Sequence, residues 1–462
     1  MTDPILDAHQ AEPRFFALSG PLAPISIRDQ MIRGQWLIER LMEQGIITPA
    51  AETRPLNEFQ AVIVGAGAAG VTAAITAANG RARALVVESA AGPFLRQAAS
   101  GTRWLDPTQY DWPANWAAGA YPTVGASPLT YPADRSARLA LRWSFQWQSA
   151  LRRFPRLLQV RYGTTIRSVR PTYSPSPTAP FFALVLSNGT TVFTHSLIWA
   201  AGFGSEKCEI TNQRLPGNPV KFTGVPFWGN DLLEAQGMGV STGNPRLAIL
   251  GAGDGAIQDA LRALTKERSA ADIYLALNLP PDFGRAVLEA EAQAHRHWIW
   301  AGRNGRRDHD LHVYLDRVHR TAAAEALIIP GVKAEAAALI RHPDEEVTVY
   351  HRCDHLVCFY ALNRFLAHLF DALLRDQQRR GLLIGNSSVV DANPTGSRWD
   401  LDVVDHPVCY NPVSLASPSR SELADDVVVR YGIDPSTASP PRPLKLDLAR
   451  NRHSFPSNPA PL

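Results

Sequence analysis

Residues 61–78 read AVIVGAGAAGVTAAITAA and decide the fold of this protein. The apolar run at 61–64 predicts a buried strand, and the alanine-rich segment after it predicts a helix. Between them lie Gly65, Gly67 and Gly70 in the spacing Gly-x-Gly-x-x-Gly. The first glycine permits a tight turn, the second lets the backbone approach a pyrophosphate, and the third lets helix and strand pack closely. The stretch therefore predicts an α/β fold with a dinucleotide site at the helix N-terminus.

An acidic residue completes this motif. A second apolar run, Ala84–Val87, is followed by Glu88, where a carboxylate can accept a hydrogen bond from a ribose 2′-hydroxyl. A tight strand–helix turn without a ligand is the alternative for an isolated glycine motif, but the strand, the helix and Glu88 together favour a cofactor. The predicted contacts of this first turn are Gly65, Gly67, Ala68, Ala69, Gly70 and Glu88.

A second glycine turn repeats the strand–turn–helix theme 186 residues later, in LAILGAGDGAIQDALRALT. Its candidate cofactor residues are Gly251, Gly253, Asp254, Gly255 and Ala256. Alanine at the third glycine position is accepted in NADP-type turns. Two such turns are typical of flavoproteins that hold FAD on one fold and a nicotinamide cofactor on another. We therefore predict FAD at the first turn and NAD(P)H at the second.

The second segment resembles the NADPH turn of the thioredoxin-reductase-like flavoproteins, which reads Gly-Gly-Gly-Asp-Ser-Ala before an alanine- and leucine-rich helix. The matching positions are Gly253, Asp254, Ala256, Ala260, Leu261, Leu264 and Thr265. SLIWAAGFG resembles the second FAD contact of that superfamily through Ala200, Ala201 and Gly202. The resemblance covers roughly residues 58–285. It implies an FAD-binding Rossmann-like domain with an inserted second Rossmann-like domain for NAD(P).

Two departures from that family concern its chemistry. The redox cysteine pair would lie shortly before the second turn, where this chain reads GVPFWGNDLLE without a cysteine. We therefore expect no thiol–disulfide chemistry of that kind. The predicted second strand of this domain, DIYLALN (272–278), ends on Asn278 instead of an arginine pair, although Arg285 is near. The choice between NADP, NAD and no nicotinamide stays open at this point.

The region between the turns partly resembles class B flavin monooxygenases, which carry a Phe-x-Gly-x-x-x-His signature there. Phe222 and Gly224 match its start, and Trp228 stands at the histidine position. The aromatic stretch RWLDPTQYDWP (103–113) is similar in content to a loop of those enzymes. It either runs beneath the flavin, with Arg103 and Trp104 as cofactor contacts, or is a loop anchored by its tryptophans. Candidate catalytic residues are Trp104, Asp106, Tyr110, Asp111, Trp228 and His351.

Histidines and cysteines offer further sites, each with a simpler alternative. Cys353 and Cys358, together with His351 and His355, are compatible with a redox pair or a metal cluster. We favour instead a strand end that brings His351 to the active site. His312, Asp316 and His319 share one helical face, and a solvated polar face is favoured there over metal ligands. The run HRHWIW (295–300) either lines a pocket or packs in the core. We predict no metal.

Composition narrows the function class. The 462 residues carry a net charge of only +3 and no long basic run, which argues against nucleic-acid binding. No apolar stretch is long enough to span a bilayer, and no secretory signal is visible. Four cysteines do not suggest a disulfide framework. We expect a soluble, cytoplasmic protein.

The predicted organisation has five parts. They are an extended lead-in with a helix from Ser26 to Gln44 (1–57), the FAD domain (58–214), the NAD(P)-type domain (215–340), a return to the FAD domain (341–435) and a Pro/Ser-rich tail (436–462).

We expect an FAD-dependent, NAD(P)H-linked oxidoreductase, foremost a monooxygenase that acts on a small organic substrate with O₂. The alternatives are a flavin oxidase or dehydrogenase of the amine or amino-acid type, and a non-catalytic flavoprotein. The N-terminal helix and the tail are candidate surfaces for a homodimer or a protein partner.

Overall fold

The computed structural model describes residues 3–18, 26–50, 55–113, 128–172, 180–231, 233, 245–251, 253–301, 305–356, 360–406, 419–434 and 437. They form two compact units. The first unit takes its residues from 1–101, 121–205 and 434–462, and the second from 102–120 and 206–433.

The elements are numbered along the chain. The helices are α1 (Pro4–His9), α2 (Ile27–Glu43), α3 (Ala68–Asn79), α4 (Leu95–Ala98), α5 (Ser136–Arg153), α6 (Asp254–Leu264), α7 (Ala270–Ala276), α8 (Arg285–Ala301), α9 (Gly305–Ile328), α10 (Val332–Leu339) and α11 (Ala361–Asp376). The strands are β1 (Gln10–Glu12), β2 (Phe15–Ala17), β3 (Glu58–Val64), β4 (Ala84–Val87), β5 (Trp104–Leu105), β6 (Asp134–Arg135), β7 (Leu158–Arg161), β8 (Ile166–Pro171), β9 (Phe182–Leu186), β10 (Thr191–Trp199), β11 (Ser205–Glu206), β12 (Glu209–Thr211), β13 (Val220–Thr223), β14 (Arg246–Leu250), β15 (Glu346–Tyr350), β16 (Leu383–Ile384), β17 (Ser387–Thr395), β18 (Arg398–Asp405), β19 (Ser419–Ala424), β20 (Asp426–Val429) and β21 (Ile433–Asp434). A short 3-10 helix spans Pro107–Asp111.

The first unit is built on a sheet in which β2, β10, β3, β4 and β7 lie side by side and parallel. The first glycine turn joins β3, which lies between β10 and β4, to α3. The buried strand and the helix predicted at 61–78 are therefore confirmed. This is the strand order of a dinucleotide-binding fold, with the ligand edge at the carboxyl ends of the strands.

The N-terminal segment belongs to the same unit. Ser26 begins α2 by accepting a hydrogen bond from the Asp29 amide at 3.0 Å, as the predicted helix requires. At Gly34 this helix approaches α3 so closely that a Cβ atom would lie 2.6 Å from the carbonyl oxygen of Ala69. The residues before α2 are not the extended lead-in that we expected. They form α1 and two strands, because Phe15 and its neighbour in β2 are apolar enough to extend the core of the sheet.

The second unit contains a parallel sheet in the order β16-β15-β14-β20, which is again a Rossmann-like arrangement. Helix α6 follows β14, and α11 connects β15 to β16. The helices α7 to α10 are inserted between α6 and β15. An antiparallel sheet of β17, β18 and β19 completes the unit. Both dinucleotide-type folds predicted from the sequence are thus present.

Two expectations about this unit require correction. Residues 272–278 are not its second strand; they fall largely in α7, which Ser269 caps by accepting from the Asp272 amide at 3.1 Å. The cap and the burial of one face override the strand-like side chains of this segment. Residues 341–433 do not return to the first unit, because β15 pairs with β14. The aromatic segment 102–113 also lies in the second unit.

Within the part of the chain that the structure describes, no helix is long and apolar enough to cross a membrane. The predicted tail lies outside the described residues except for Thr437.

Candidate functional site

The first glycine turn has the backbone that close approach of a phosphate requires. Gly65 has φ +109°, and a Cβ atom there would lie 2.4 Å from the Ala200 carbonyl oxygen. At Gly70 a Cβ atom would lie 2.1 Å from the carbonyl oxygen of Gly65, so the helix packs on the turn only with glycine. Gly67 begins α3 without a side-chain cap, and no heavy atom would contact its Cβ within 4 Å. The helix N-terminus therefore keeps amide groups and open space for an anion.

Glu88 stands at the carboxyl end of β4 beside this turn. Its Oε2 accepts a hydrogen bond from the Ala66 amide at 2.6 Å, and its Oε1 accepts one from the Ala90 amide at 2.8 Å. The carboxylate is thereby fixed at the turn. Oε1 also accepts a hydrogen bond from the Ser89 hydroxyl at 3.1 Å, whereas Oε2 retains a lone pair with which it can accept a ribose hydroxyl.

The residues after β10 meet the same turn from the neighbouring strand. Ala200 donates its amide to the Val64 carbonyl at 2.8 Å, and Gly202 has φ +84°. The predicted contacts at Ala201 and Gly202 therefore lie next to the strand end that carries Gly65. These observations fit FAD: the turn and Ala68–Ala69 would hold the pyrophosphate, and Glu88 would hold the ribose.

The second turn repeats this geometry within its own unit. Gly251 has φ +141°, and a Cβ atom would lie 2.1 Å from the Arg430 carbonyl oxygen, which follows β20. Gly253 begins α6 with no side-chain cap and no heavy atom within 4 Å of a Cβ. Ala256 is fully buried at the third position. The predicted cofactor residue Asp254 instead accepts hydrogen bonds from the Tyr360 amide and the Asn363 side chain, and so holds the start of α11.

A basic residue that sequence reasoning missed stands at the end of the true second strand. Arg352 lies two residues beyond β15, is exposed, and donates from Nε to Ser388 Oγ at 3.2 Å. An arginine near this strand end can accommodate the 2′-phosphate of NADP. The stretch VTVYHRCDH does show an arginine directly after an apolar strand, but the inserted helices α7 to α10 separate this stretch from the glycine turn along the chain.

His351 precedes that arginine and is buried. Its amide donates to the Ile384 carbonyl at 3.0 Å, and its Nδ1 has no hydrogen-bond partner among the described residues. Burial lowers the pKa of His351 to about 4, although the carboxylate of Asp316 acts in the opposite direction. The side chain is therefore neutral near pH 7.

Arg103 does not have the free donors that we expected of a cofactor contact. Its Nε donates to the Phe227 carbonyl at 2.6 Å, Nη1 to Asp259 at 2.9 Å, and Nη2 to Asp231 at 3.3 Å. Arg262 and Arg430 bind the same Asp259. Burial alone would raise the pKa of Asp259, but the three guanidinium groups outweigh it and hold that pKa well below its usual range. This is a structural ion network that fixes the segment within the second unit.

The other residues of the aromatic segment have structural contacts as well. Asp106 begins the short 3-10 helix and accepts from the amide and the hydroxyl of Thr108 at 2.9 and 2.6 Å. The Tyr110 ring lies 4.4 Å from that of Tyr360, and the Nε1 of Trp104 has no partner among the described residues. Asp111 is buried.

Trp228 contacts the neighbouring Phe227 ring edge-to-face, with 5.1 Å between the ring centroids. His351 and the aromatic segment both belong to the second unit, whereas the first glycine turn belongs to the first.

The polar face of α9 is buried instead of solvated, contrary to expectation. His312, Asp316 and His319 are all at most 6% exposed. Asp316 accepts from His368 Nε2 at 2.7 Å, and His319 Nε2 binds Glu291 at 2.7 Å. Burial would raise the pKa of Asp316, but the hydrogen bond from His368 and the charge of Arg320 lower it to about 2. Asp316 and His319 thus share one face of α9 because each contacts a polar side chain of a neighbouring helix.

The segment with His351, Cys353 and His355 was compatible in sequence with a metal cluster or a redox pair. Among the described residues, no group of three or more His, Cys, Asp or Glu side chains is placed to hold a metal ion. Cys353 is disulfide-bonded, and Cys208 is a free, buried thiol. Cys358 and the side chains of 295–300 lie outside the described residues.

Residues 60–132 match the family described as FAD binding domain. No curated protein matches the sequence. Thioredoxin reductase of T. acidophilum is 13% identical over 83% of this chain and 79% of its own, with a TM-score of 0.39. L-lysine 6-monooxygenase from Pseudomonas syringae is 14% identical over 81% of each chain, with a TM-score of 0.35. Ornithine N-hydroxylase of Kutzneria sp. 744 is 14% identical over 82% of this chain and 83% of its own, with a TM-score of 0.36.

Similarities this low do not distinguish a reductase from a monooxygenase. The family match at 60–132, together with the geometry of the first turn, identifies an FAD-binding domain. The chain therefore combines this FAD-binding domain with a second parallel-sheet unit of Rossmann-like order, and is an FAD-dependent oxidoreductase.

Proposed function

We propose that this protein is an NAD(P)H-linked monooxygenase that uses FAD to oxidise a small organic substrate with O₂. The observation that carries the nicotinamide part is the second turn, where Gly253 leaves the N-terminus of α6 uncapped in a parallel sheet of Rossmann-like order. When bound, FAD supplies two-electron redox chemistry between the nicotinamide and an acceptor.

The preference for NADPH over NADH rests on Arg352. Its exposed guanidinium follows β15, and β15 pairs with β14, the strand that leads into the glycine turn. In this fold, an arginine near the end of that neighbouring strand binds the 2′-phosphate of NADP. Arg285, which the sequence suggested, instead lies at the start of α8 in the inserted helices.

The monooxygenase part rests on the segment GVPFWGNDLLE before the second turn. It contains no cysteine, so it offers no dithiol to take electrons from a reduced flavin. Molecular oxygen and an organic substrate are then the acceptors that we propose.

Anaerobic mixing of the FAD-loaded protein with NADPH or NADH tests the proposal. We expect NADPH to bleach the flavin absorbance, and oxygen to restore it. In Arg352→Gln, the NADPH concentration for half-maximal reduction should rise about tenfold, because one charge-assisted contact is lost. The matched variant Arg285→Gln should reduce normally, and NADH should respond equally in all three proteins. Absence of bleaching by either nucleotide would contradict the proposal.

A further inference from the structure

A fully buried arginine with unused donors lies on α11, where this helix contacts the inserted helix α8. Arg364 of α11 has no exposed surface, and its Nη1 donates to Glu291 Oε1 of α8 at 3.1 Å. Its Nε and Nη2 atoms are buried and have no hydrogen-bond partner among the described residues. The fully buried Arg103 of the same unit has a partner for each of its nitrogens. Arg364 therefore departs from the rule that buried guanidinium donors are satisfied.

The two unused donors form a specific recognition edge. Nε and Nη2 project parallel N–H groups from one side of the planar guanidinium, a spacing that matches the two oxygens of a carboxylate. Glu291 pairs with the charge of Arg364, but each buried donor without an acceptor still costs free energy, and one carboxylate would satisfy both donors.

His319 of α9 binds the same carboxylate as Arg364 and has an unused acceptor of its own. Its Nε2 donates to the same Glu291 Oε1 at 2.7 Å, so the histidine and the arginine meet at one oxygen atom. Burial lowers the pKa of His319 to about 4 despite the neighbouring carboxylate, which leaves Nδ1 as a lone-pair acceptor near pH 7. That Nδ1 is buried and has no partner among the residues described.

Aromatic rings lie beside His319 and at Phe365, the residue that follows Arg364. The ring centroid of Trp112 lies 6.2 Å from that of His319, and Trp112 stacks on Phe365 with 5.2 Å between centroids. Aromatic surface favours an organic acid over a strongly hydrated inorganic ion.

We propose that Arg364 and His319 bind a small α-hydroxy or α-amino carboxylic acid within the second unit. The Arg364 edge binds the carboxylate, and His319 Nδ1 accepts a hydrogen bond from the neighbouring hydroxyl or ammonium group. This site does not depend on the redox reaction proposed above, and its test needs no nicotinamide.

Thermal unfolding and titration calorimetry of the full-length, FAD-loaded protein test this site. The probes are three pairs of ligands: L-lactate and mandelate, L-alanine and L-phenylalanine, and propionate and phenylacetate, which lack the donor group. We expect at least one hydroxy or amino acid to raise the unfolding temperature and to bind more tightly than its counterpart without the donor. Sodium chloride at equal ionic strength should produce no such shift.

Two variants locate the binding. Arg364→Lys keeps the charge but loses the paired donors, and should weaken binding at least tenfold. His319→Phe should abolish the preference for the hydroxy or amino acid over its counterpart. Arg320→Gln, an exposed change on the same helix, should bind as the natural protein does. If no probe binds, if chloride gives an equal shift, or if Arg364→Lys binds as tightly as the natural protein, the proposal is overturned.

Discussion

Gly67 and Gly253 allow each cofactor site to be tested at a single residue. Both have backbone angles that alanine adopts, φ −78° and −137°, and no heavy atom would contact a Cβ within 4 Å. We expect Gly67→Ala to lower FAD affinity at least tenfold, because the methyl group occupies the approach of the pyrophosphate. Its free energy of unfolding without FAD should stay within about 0.5 kcal/mol of the natural protein. Ultrafiltration followed by flavin absorbance measures the bound fraction.

Gly253→Ala is the matched variant in the other unit. It should retain FAD and lose affinity for NADPH alone, measured as the NADPH concentration required for flavin reduction. Gly65→Ala differs from both, since its Cβ would lie 2.4 Å from a backbone oxygen and should destabilise the folded unit itself. Normal FAD binding by Gly67→Ala would exclude this turn as the FAD site.

The glycines could be predicted from the sequence because the turn is local: strand, spacing and helix occupy consecutive residues. Arg352 could not be placed in this way. Its position depends on β15 pairing with β14, and the helices α7 to α10 separate these strands along the chain. Arg364 and His319 likewise meet at Glu291 only through packing of α8, α9 and α11.

At the scale of elements, the segment 102–113 has two interpretations from its sequence: a flavin contact, or a loop held in place by packing. Its aromatic and charged residues suggested a flavin contact, whereas the structure joins Arg103 to Asp259 and Asp231 within the second unit. Composition could not decide between these interpretations, because the acidic partners lie more than a hundred residues away in sequence.

Arg103→Met should therefore act on stability. Removing one member of a buried ion network leaves the remaining carboxylates underneutralised, and we expect a loss of about 3 kcal/mol in the free energy of unfolding. Urea denaturation of the FAD-loaded protein measures it. Arg268→Met, an exposed arginine over the Trp104 ring at 5.2 Å, is the control and should change stability by less than about 1 kcal/mol. Selective loss of FAD from Arg103→Met at unchanged stability would instead support the cofactor role predicted from the sequence.

At the scale of the whole molecule, the two units repeat one plan. In the first unit, Gly65 has a positive φ and packs against Ala200, the residue that follows the neighbouring parallel strand. In the second unit, Gly251 has a positive φ and packs against Arg430, which follows its neighbouring parallel strand. The repeated glycine motif was sufficient to predict two such folds. The division of the chain was not predictable, since the strand at 346–350 joins the second sheet and 102–113 lies with that unit.

The proposed route of electrons makes a prediction for the cysteines of the entire chain. Four cysteines are present; Cys208 is a free thiol and Cys353 is disulfide-bonded. Titration of the purified protein in denaturant without a reductant should therefore detect fewer thiols than after full reduction. We expect the number to be the same after anaerobic reduction with excess NADPH, because the proposed function transfers electrons to oxygen and substrate. A rise of two thiols with NADPH would show that the Cys353 disulfide accepts electrons from the flavin, and would favour a disulfide reductase over a monooxygenase.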